Sequence, residues 1–144
     1  MTINIEKRDL FTIPQGYYLA HCISADFSLG AGIAKKFDKV YDMRFKLFRD
    51  YPDYYESYED NGEALLVDNV FNLVTKKKYY HKPTYDSLTN ALVDMKNMCE
   101  CFNITKLAMP KIASGLDKLD WDKVYDIILD VFNDTDINIV ICEF

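Results

Sequence analysis

The alternation of two apolar patterns along this 144-residue chain limits its fold more than any other feature. Short runs rich in β-branched and aromatic residues, such as residues 17–23 and 63–67, are typical of strands. Longer segments in which apolar residues recur every three or four positions are typical of amphipathic helices. From residue 69 onward the patterns follow the order strand, helix, strand, helix, strand. That order predicts an α/β domain, because strands separated by helices form βαβ units.

The expected strands cover residues 3–5, 17–23, 63–67, 69–75, 106–109 and 137–142. A first helix is expected to open after Gly30-Ala31-Gly32 and to continue towards Pro52. A second, long helix is predicted to begin with Thr84 as its N-cap, and a third helix with Asp120 in the same role. The apolar stripe of the long helix is expected to face the core, and its members are Leu88, Ala91, Leu92, Met95, Met98, Cys99 and Phe102.

Length and composition indicate one domain that spans residues 1–144. Hydrophobic residues make up 49% of the chain, which is enough for a packed core, and the chain is too short for two independent cores. No apolar run approaches the roughly 20 residues needed to cross a bilayer. The first residues lack the pattern of a secretory signal. We therefore expect a cytoplasmic monomer that does not associate with membranes.

Cysteine spacing and net charge argue against two kinds of site. Cys22, Cys99, Cys101 and Cys142 form no paired CxxC sets, so we expect buried, reduced thiols without zinc or disulfides. We expect no metal and no cofactor. The net charge of −6 opposes non-specific binding to nucleic acid phosphates. An anion site in this protein therefore has to be built locally.

The helical crossovers predict where such a site would lie. βαβ units are almost always right-handed and lay their strands parallel, so the loops that leave the strands' carboxyl ends gather at one edge of the sheet. The loops concerned follow residues 23, 75 and 109. Ligands of open α/β sheets bind at that edge. The three loops are therefore the candidate functional segments.

The first of these loops places two glycines, Gly30 and Gly32, directly before a helix. Glycine lets the backbone approach a ligand closely, and free amides at a helix start can hold a phosphate. Two glycines before a helix are also common in ordinary turns. On this motif alone, both interpretations stay open.

The second loop concentrates four lysines and a histidine in residues 76–82 of an acidic protein. A solvated charge run is one interpretation. Another is a nucleophile at Lys76, which stands at the end of a strand and has Lys77 and Lys78 beside it, since nearby cations favour the neutral amine of a lysine. Tyr79 and Tyr80 between the lysines suggest single-stranded nucleic acid as a third interpretation, which the net charge disfavours. His81 fits a hydrogen-bonded packing residue better than a general base.

The third loop, residues 109–117, combines small residues with a carboxylate. Small residues let the chain wrap closely around a ligand. Asp117 is a candidate general acid or base. It is also placed where an aspartate interacts favourably with the start of the following helix. The residue type alone does not choose between these two roles.

Several segments of the chain together resemble one family. These segments occur in order along the chain: Ala20-His21-Cys22-Ile23-Ser24-Ala25-Asp26, Gly30-Ala31-Gly32-Ile33-Ala34, Thr75-Lys76-Lys77, His81-Lys82-Pro83-Thr84-Tyr85, Met109-Pro110-Lys111-Ile112 and Gly115-Leu116-Asp117. The sequence resembles a macro domain of the terminal ADP-ribose protein glycohydrolase branch, from Asp9-Leu10-Phe11 to Thr135-Asp136-Ile137. The resemblance implies a three-layer α/β/α domain with a mixed, largely parallel central sheet.

The resemblance also implies an ADP-ribose cleft and roles for its residues. Lys76 matches the nucleophile that attacks the anomeric carbon of the distal ribose, and Asp117 matches the carboxylate that resolves the lysyl adduct. Asp9 and Leu10 match adenine-site positions. The remaining residues match positions near the diphosphate and distal ribose, and they are His21, Ser24, Gly30, Ala31, Gly32, Ile33, Pro110, Ile112, Ala113, Ser114, Gly115 and Leu116.

The sequence departs from the family pattern at a few positions. Ala113-Ser114 replaces a glycine-cysteine pair, Cys142 stands where a tyrosine near the adenine is common, and Arg8 occupies a glycine position. The Lys76 and Asp117 pair is retained.

The resemblance implies a hydrolase whose partners are ADP-ribose and ADP-ribosylated protein. Its substrates would be glutamate-linked mono-ADP-ribose and O-acetyl-ADP-ribose. Alternatives that stay open are a noncatalytic ADP-ribose-binding module, a hydrolase of thymidine-linked ADP-ribose on single-stranded DNA, and hydrolysis of ADP-ribose 1″-phosphate.

Overall fold

The computed structural model describes all 144 residues, which form six strands, five α-helices and one short 3-10 helix, Leu10–Thr12. The strands are β1 (Thr2–Lys7), β2 (Tyr18–Ser24), β3 (Glu63–Val67), β4 (Val70–Lys76), β5 (Lys106–Met109) and β6 (Asn138–Glu143). The helices are α1 (Gly32–Tyr41), α2 (Met43–Asp50), α3 (Tyr54–Ser57), α4 (Tyr85–Phe102) and α5 (Trp121–Phe132). None of these helices combines the length and the apolarity required to cross a lipid bilayer.

All six strands belong to one sheet, with the order β1-β6-β5-β2-β4-β3. Four of the five pairings are parallel, and only β3 and β4 pair antiparallel. A tight turn joins those two strands, with Asp68 in the left-handed conformation at φ 53°. Two antiparallel strands can be joined by a turn this short, whereas two parallel strands need a longer crossover connection. The prediction of a mixed, largely parallel sheet is confirmed.

Helices cover both faces of the sheet. On one face α4 and α5 pack against the strands, and Leu88, Leu92, Met95 and Ile128 there have no exposed surface. The other face buries Phe37 of α1 together with Met43 and Leu47 of α2. Burying one large aliphatic side chain contributes about 1.5–3 kcal/mol, so both layers are needed to offset the entropy of folding. The three-layer α/β/α architecture is confirmed.

The predicted helix starts at Thr84 and Asp120 are confirmed by their capping bonds. The Thr84 hydroxyl accepts from the Ser87 amide at 3.0 Å, and the Ser87 hydroxyl accepts from the Thr84 amide at 3.1 Å. This is a reciprocal capping box with serine at the third helical position. Asp120 accepts from the Asp122 amide at 3.0 Å. Each helix start therefore satisfies amides that would otherwise have no partner.

Three residues of α4 are less buried than the predictions stated. Phe102 is 61% exposed because it occupies the last turn, where Asn103 ends the helix with a left-handed φ of 57°. Met98 is only partly buried. All four cysteines are free thiols, as expected. Two of them are not buried: Cys101 is exposed because it lies on the outer side of α4, and Cys22 of β2 is partly exposed.

The segment after Gly32 differs from the single long helix that the apolar spacing predicted. Asp42 adopts a left-handed conformation at φ 54° and separates α1 from α2. Aspartate tolerates this conformation better than most residues. The side chain of Asp38 accepts from the Arg44 amide at 2.9 Å and so stabilises the break. The periodicity of apolar residues continues through the break, which is why the pattern did not reveal it.

Two glycines with similar left-handed conformations allow a direct test of packing between α4 and the sheet. A Cβ at Gly62 (φ 93°) would lie 2.0 Å from the carbonyl oxygen of Ser87, whereas a Cβ at Gly16 (φ 98°) would meet nothing within 4 Å. Gly16→Ala therefore carries only conformational strain, about 1 kcal/mol. We expect Gly62→Ala to lower the free energy of unfolding by at least about 3 kcal/mol more than Gly16→Ala, measured by urea denaturation. Equal losses of unfolding free energy in the two variants would show that α4 moves without cost to make room for the added methyl group.

Candidate functional site

A cleft of about 640 Å³ opens at the sheet edge where the three candidate loops meet. Its lining combines apolar side chains with four charged ones and comes from all three loops. The lining residues are Cys22, Ile23, Ser24, Ser28, Leu29, Gly30, Ala31, Gly32, Ile33, Ala34, Lys76, Tyr79, Lys82, Pro110, Lys111, Ile112, Ala113, Gly115, Leu116 and Asp117. The loops after residues 23, 75 and 109 therefore converge as the sequence predicted.

Lys76 and Asp117 form an ion pair in the wall of the cleft. The distance from Lys76 Nζ to Asp117 Oδ1 is 2.7 Å, and the two side chains are only 14% and 15% exposed. Lys76 is the last residue of β4, and its carbonyl accepts from the Ala25 amide at 2.9 Å, so β2 holds the strand end in place. The sheet thus joins an amine and a carboxylate that are 41 residues apart in the chain.

The lysine next in the chain, Lys77, does not point towards this pair. Its ammonium donates to the carbonyls of Tyr55 and Tyr58, at 2.6 Å and 3.3 Å, and lies 4.4 Å from the centre of the Tyr55 ring. Successive side chains of a strand point to opposite sides, so Lys77 turns towards α3 where Lys76 turns towards the cleft. The expectation that Lys77 acts on Lys76 by repulsion is therefore not met.

Lys82 provides a second cation in the cleft wall and ties two loops together. Its ammonium donates to the Leu116 carbonyl at 2.9 Å. Leu116 also reaches the first loop, because its Cδ1 lies only 3.0 Å from where a Cβ on Gly32 would stand. Gly32 has a φ of 60°, so the lack of a side chain meets both a conformational and a steric need. Lys82 was not among the predicted site residues, because nothing in the lysine run distinguishes it from its neighbours.

The start of α1 leaves backbone donors free at the cleft. Its N-cap is Ala31, which has no side chain able to accept from the first amides of the helix. The amides of the first turn, beginning at Gly32, therefore have no side-chain cap. Uncapped amides with the positive end of a helix dipole behind them favour an anion. This supports the anion-binding interpretation of the glycine loop.

Asp26 holds the first loop to the second. Its Oδ1 accepts from the Ser24 hydroxyl at 2.5 Å and from the Ser28 amide at 3.2 Å, and its Oδ2 accepts from the Tyr79 amide at 2.9 Å. One carboxylate thus fixes the loop after β2 and the loop after β4. Asp26 was not among the predicted site residues, because its partner Tyr79 is 53 positions away.

The third loop carries a strained residue. Ala113 is buried and has a φ of 60°, a conformation that glycine adopts without cost. The Leu119 amide donates to the Ala113 carbonyl at 2.9 Å and holds the turn. The neighbouring Ser114 does not line the cleft, since its hydroxyl donates to the Lys111 carbonyl at 2.9 Å. The change from glycine to alanine is therefore accommodated within a turn that other bonds maintain.

Asp9 and Leu10 lie outside the lining of the cleft. Asp9 caps the 3-10 helix by accepting from the Phe11 amide at 3.0 Å, and it pairs with Lys36 of α1 at 3.2 Å. The amide bond and then the lysine hold the pKa of Asp9 below its ordinary value. Leu10 is buried in the core. No group of three His, Cys, Asp or Glu side chains lies close enough to hold a metal ion.

His21 is completely buried beneath the cleft and does not line it. Its Nε2 lies 2.6 Å from Asn72 Oδ1, and its ring stacks on Phe37 with centroids 3.9 Å apart. The other ring nitrogen has no partner. Burial lowers the pKa of His21 to about 4. The resemblance matched His21 to a position close to the distal ribose, and the structure places its side chain behind the residues that line the cleft.

The buried imidazole makes stability depend on pH. The unfolded chain binds a proton at this residue below about pH 6.5, but the folded chain does so only below about pH 4. The free energy of unfolding is therefore undiminished above pH 7 and falls as the pH drops from 6.5 towards 4. Between pH 7.5 and 5.0 we expect a loss of about 2 kcal/mol. His21→Gln, which can still bond to Asn72, should lose this component in urea titrations at both pH values; an unchanged slope would contradict the assignment.

Solved structures show that this architecture is a macrodomain fold. The macrodomain of Mycobacterium tuberculosis DarG matches with a TM-score of 0.86 at 22% identity, over 99% of this chain and 98% of that one. The macrodomain of Thermus aquaticus DarG matches with a TM-score of 0.82 at 16% identity, over 99% of each chain. Thermosipho africanus DarTG in complex with ADP-ribose matches with a TM-score of 0.77 at 17% identity, over 98% of this chain and 41% of that chain.

Sequence relatives place the chain more narrowly. ADP-ribose glycohydrolase OARD1 of Bos taurus is 39% identical over 143 residues, which cover 96% of this chain and 90% of the relative. The Homo sapiens protein of the same name is 38% identical with the same coverage. No protein-family model matches the chain. The chain belongs to the macro domain family, in its terminal ADP-ribose glycohydrolase branch.

Proposed function

We propose that this protein is an ADP-ribosyl hydrolase that removes mono-ADP-ribose from glutamate side chains and deacetylates O-acetyl-ADP-ribose. The observation that carries the proposal is the 2.7 Å pair of Lys76 and Asp117 in the wall of a 640 Å³ cleft. The relatives named ADP-ribose glycohydrolase OARD1, at 38–39% identity, support hydrolysis over binding alone.

The electrostatics of the cleft suit ADP-ribose. Its lining contains Lys76, Lys82 and Lys111 against the single carboxylate of Asp117, so the local charge is positive in a chain of net charge −6. The diphosphate would lie against the uncapped amides at the start of α1. Half of the 20 lining residues are hydrophobic, which suits the carbon faces of the ribose rings.

In the proposed first step, the amine of Lys76 attacks the anomeric carbon of the distal ribose. An ammonium has no lone pair, so Lys76 first passes a proton to Asp117 along the 2.7 Å hydrogen bond. The bond from the lysine nitrogen to the anomeric carbon forms while the bond from that carbon to the acyl oxygen breaks. The electron pair of the broken bond leaves with the acyl group as a carboxylate, and ADP-ribose remains on Lys76.

In the second step, water replaces the lysine at the anomeric carbon. Asp117, which was protonated in the first step, returns its proton to the lysine nitrogen as the bond to the anomeric carbon breaks, and the proton that the water loses passes to solvent. Free ADP-ribose leaves, and the ion pair forms again. Positioning water, nucleophile and carboxylate in one wall converts both steps into intramolecular events.

The role of Lys76 is tested by comparing two neighbouring lysines. Lys76→Ala should reduce release of ADP-ribose from a glutamate-linked peptide by a factor of about 10³ or more, because the nucleophile is lost. Lys78→Ala is the matched control, since Lys78 lies outside the lining of the cleft, and it should retain activity. Release is followed by chromatography of ADP-ribose. Equal loss in both variants, or in neither, would remove Lys76 from the mechanism.

The role of Asp117 predicts a trapped intermediate. Asp117→Asn should reduce turnover by a factor of about 10²–10⁴. At alkaline pH, where solvent can deprotonate the lysine, this variant should accumulate ADP-ribose on Lys76. Peptide mass spectrometry after reduction with borohydride locates the adduct. Adduct on any other residue would contradict the assignment.

One observation favours a second candidate, a hydrolase of thymidine-linked ADP-ribose on single-stranded DNA. Tyr79, which lines the cleft, and its neighbour Tyr80 are 63% and 62% exposed, and Lys78 Nζ lies 5.8 Å from the centre of the Tyr80 ring. Exposed aromatic rings beside a cation form a surface on which bases can stack. Turnover of a thymidine-linked oligonucleotide without turnover of the glutamate ester would favour this candidate. Binding of ADP-ribose with no turnover of either would indicate a noncatalytic module.

A further inference from the structure

A second cavity of about 290 Å³, here called the side cavity, lies beside the cleft. It is formed by the end of β4, the loop that follows and the first turn of α4, with Asp60 on the facing loop. None of its lining residues is hydrophobic, and they are Asp60, Thr75, Lys76, Lys77, His81, Lys82, Thr84 and Ser87. The mechanism proposed above uses only Lys76 of this set.

The side cavity and the cleft share two residues of their walls. Lys76 and Lys82 line both spaces. A substrate bound in the cleft with its reacting carbon at Lys76 therefore has the side cavity within reach. The acyl oxygen that leaves is one bond away from that carbon. The acceptor chain beyond this oxygen thus needs a space near Lys76 that ADP-ribose does not occupy.

The charge of the side cavity favours an anion. Lys76, Lys77 and Lys82 line the side cavity together with one carboxylate, that of Asp60. The charge of Lys76 is already paired with Asp117, so Lys77 and Lys82 supply the excess positive charge. His81 accepts at Nδ1 from the Lys78 amide at 3.4 Å, which leaves its other ring nitrogen as a donor. Clustered cations in a recess raise the local concentration of anions.

One residue in the wall of the side cavity, Thr75, carries a hydroxyl without a partner. Thr75 is 2% exposed, and its Oγ1 forms no hydrogen bond. A buried hydroxyl left unpaired destabilises a fold, so such groups are rare and call for an explanation. The neighbouring Ser87 is 4% exposed and donates to the Thr75 carbonyl at 2.7 Å. The wall of the side cavity is therefore partly built from buried hydroxyl residues, and the Thr75 hydroxyl is itself closed to solvent.

We propose that the side cavity is the acceptor subsite, where the carboxylate of a glutamate side chain is held as its ester to ADP-ribose breaks. This inference rests on the proposed function. The electron pair that leaves the anomeric carbon makes the acceptor oxygen negative, and the cations of Lys82 and Lys77 stabilise that charge. A thymine base would find no hydrophobic side chain there to pack against. The side cavity therefore favours carboxylate acceptors over nucleobases.

Two substitutions that change the charge of the side cavity in opposite directions test the subsite. Lys82→Met removes a cation and should lower kcat/KM for a glutamate-linked peptide by about tenfold relative to kcat/KM for thymidine-linked ADP-ribose supplied as the nucleoside. Asp60→Asn removes the opposing carboxylate and should raise the same ratio. Asparagine also suits the left-handed φ of 66° at this position. Lys39→Met on the surface of α1 is the control, and melting temperatures confirm that the variants fold.

The ratio of the two kcat/KM values distinguishes a failure of the acceptor subsite from a failure of the proposed function. Effects of Lys82 on ADP-ribose itself act on both substrates and cancel. If the wild-type protein hydrolyses the glutamate ester but neither variant changes the ratio, the subsite is wrong and the hydrolase proposal stands. If the wild-type protein hydrolyses neither substrate, the hydrolase proposal fails, and direct binding decides the subsite.

Direct binding is measured by NMR titration of the labelled protein with N-acetylglutamate. The Thr75 and Ser87 amides should shift, the shifts should weaken in Lys82→Met, and N-acetylglutamine should produce none. Inorganic phosphate distinguishes an acceptor site from a general anion site. Shifts of equal size and midpoint with phosphate would overturn the acceptor assignment, as would the absence of shifts with N-acetylglutamate.

Discussion

The parallel pairing of β2 with β4 on one side and with β5 on the other is the constraint on which the site depends. Parallel neighbours end at the same edge of a sheet, so the three loops that follow these strands have to meet. The hairpin between β3 and β4 confirms the rule from the other direction, because its antiparallel turn lies at the opposite edge. The lysine at the end of β4 and the carboxylate in the loop after β5 become neighbours for this reason alone.

A contribution to folding stability does not explain why an ion pair lies in the wall of the cleft. Lys76 and Asp117 are each about 85% removed from solvent, and the desolvation of two charges offsets much of their attraction. Ala113 adds left-handed strain in the same wall. Features that weaken a fold and cluster around one cavity indicate a function that requires them.

Hydrogen bonds outside the ion pair hold the three loops in fixed positions relative to one another. Asp26 bonds to both the first and the second loop, and Lys82 bonds to the third. Beneath them, His21 and Asn72 bond to each other between the sheet and α1, in place of the apolar pair usual at such a depth. The cleft therefore rests on polar groups that are themselves buried, and its shape depends on keeping them neutral and paired.

The sequence by itself determined the α/β class, the strands, the starts of the two long helices and the edge at which the loops converge. These follow from local periodicity, from capping residues such as Thr84 and Asp120, and from the handedness of crossovers. The sequence also singled out Lys76 and Asp117, because Lys76 stands at the end of a strand, Asp117 stands in a loop that follows a strand, and both match a family pattern. Such features depend on near neighbours in the chain.

Only the tertiary structure decided which charged groups face one another. It turned Lys77 away from Lys76, placed Lys82 in the walls of two cavities and buried His21 under the cleft. It also broke the first helix at Asp42 without any change in apolar spacing. Side-chain direction at the end of a strand depends on register and twist, and the partners lie tens of residues away. No local pattern carries that information, because long-range packing selects among conformations that the local chain allows equally.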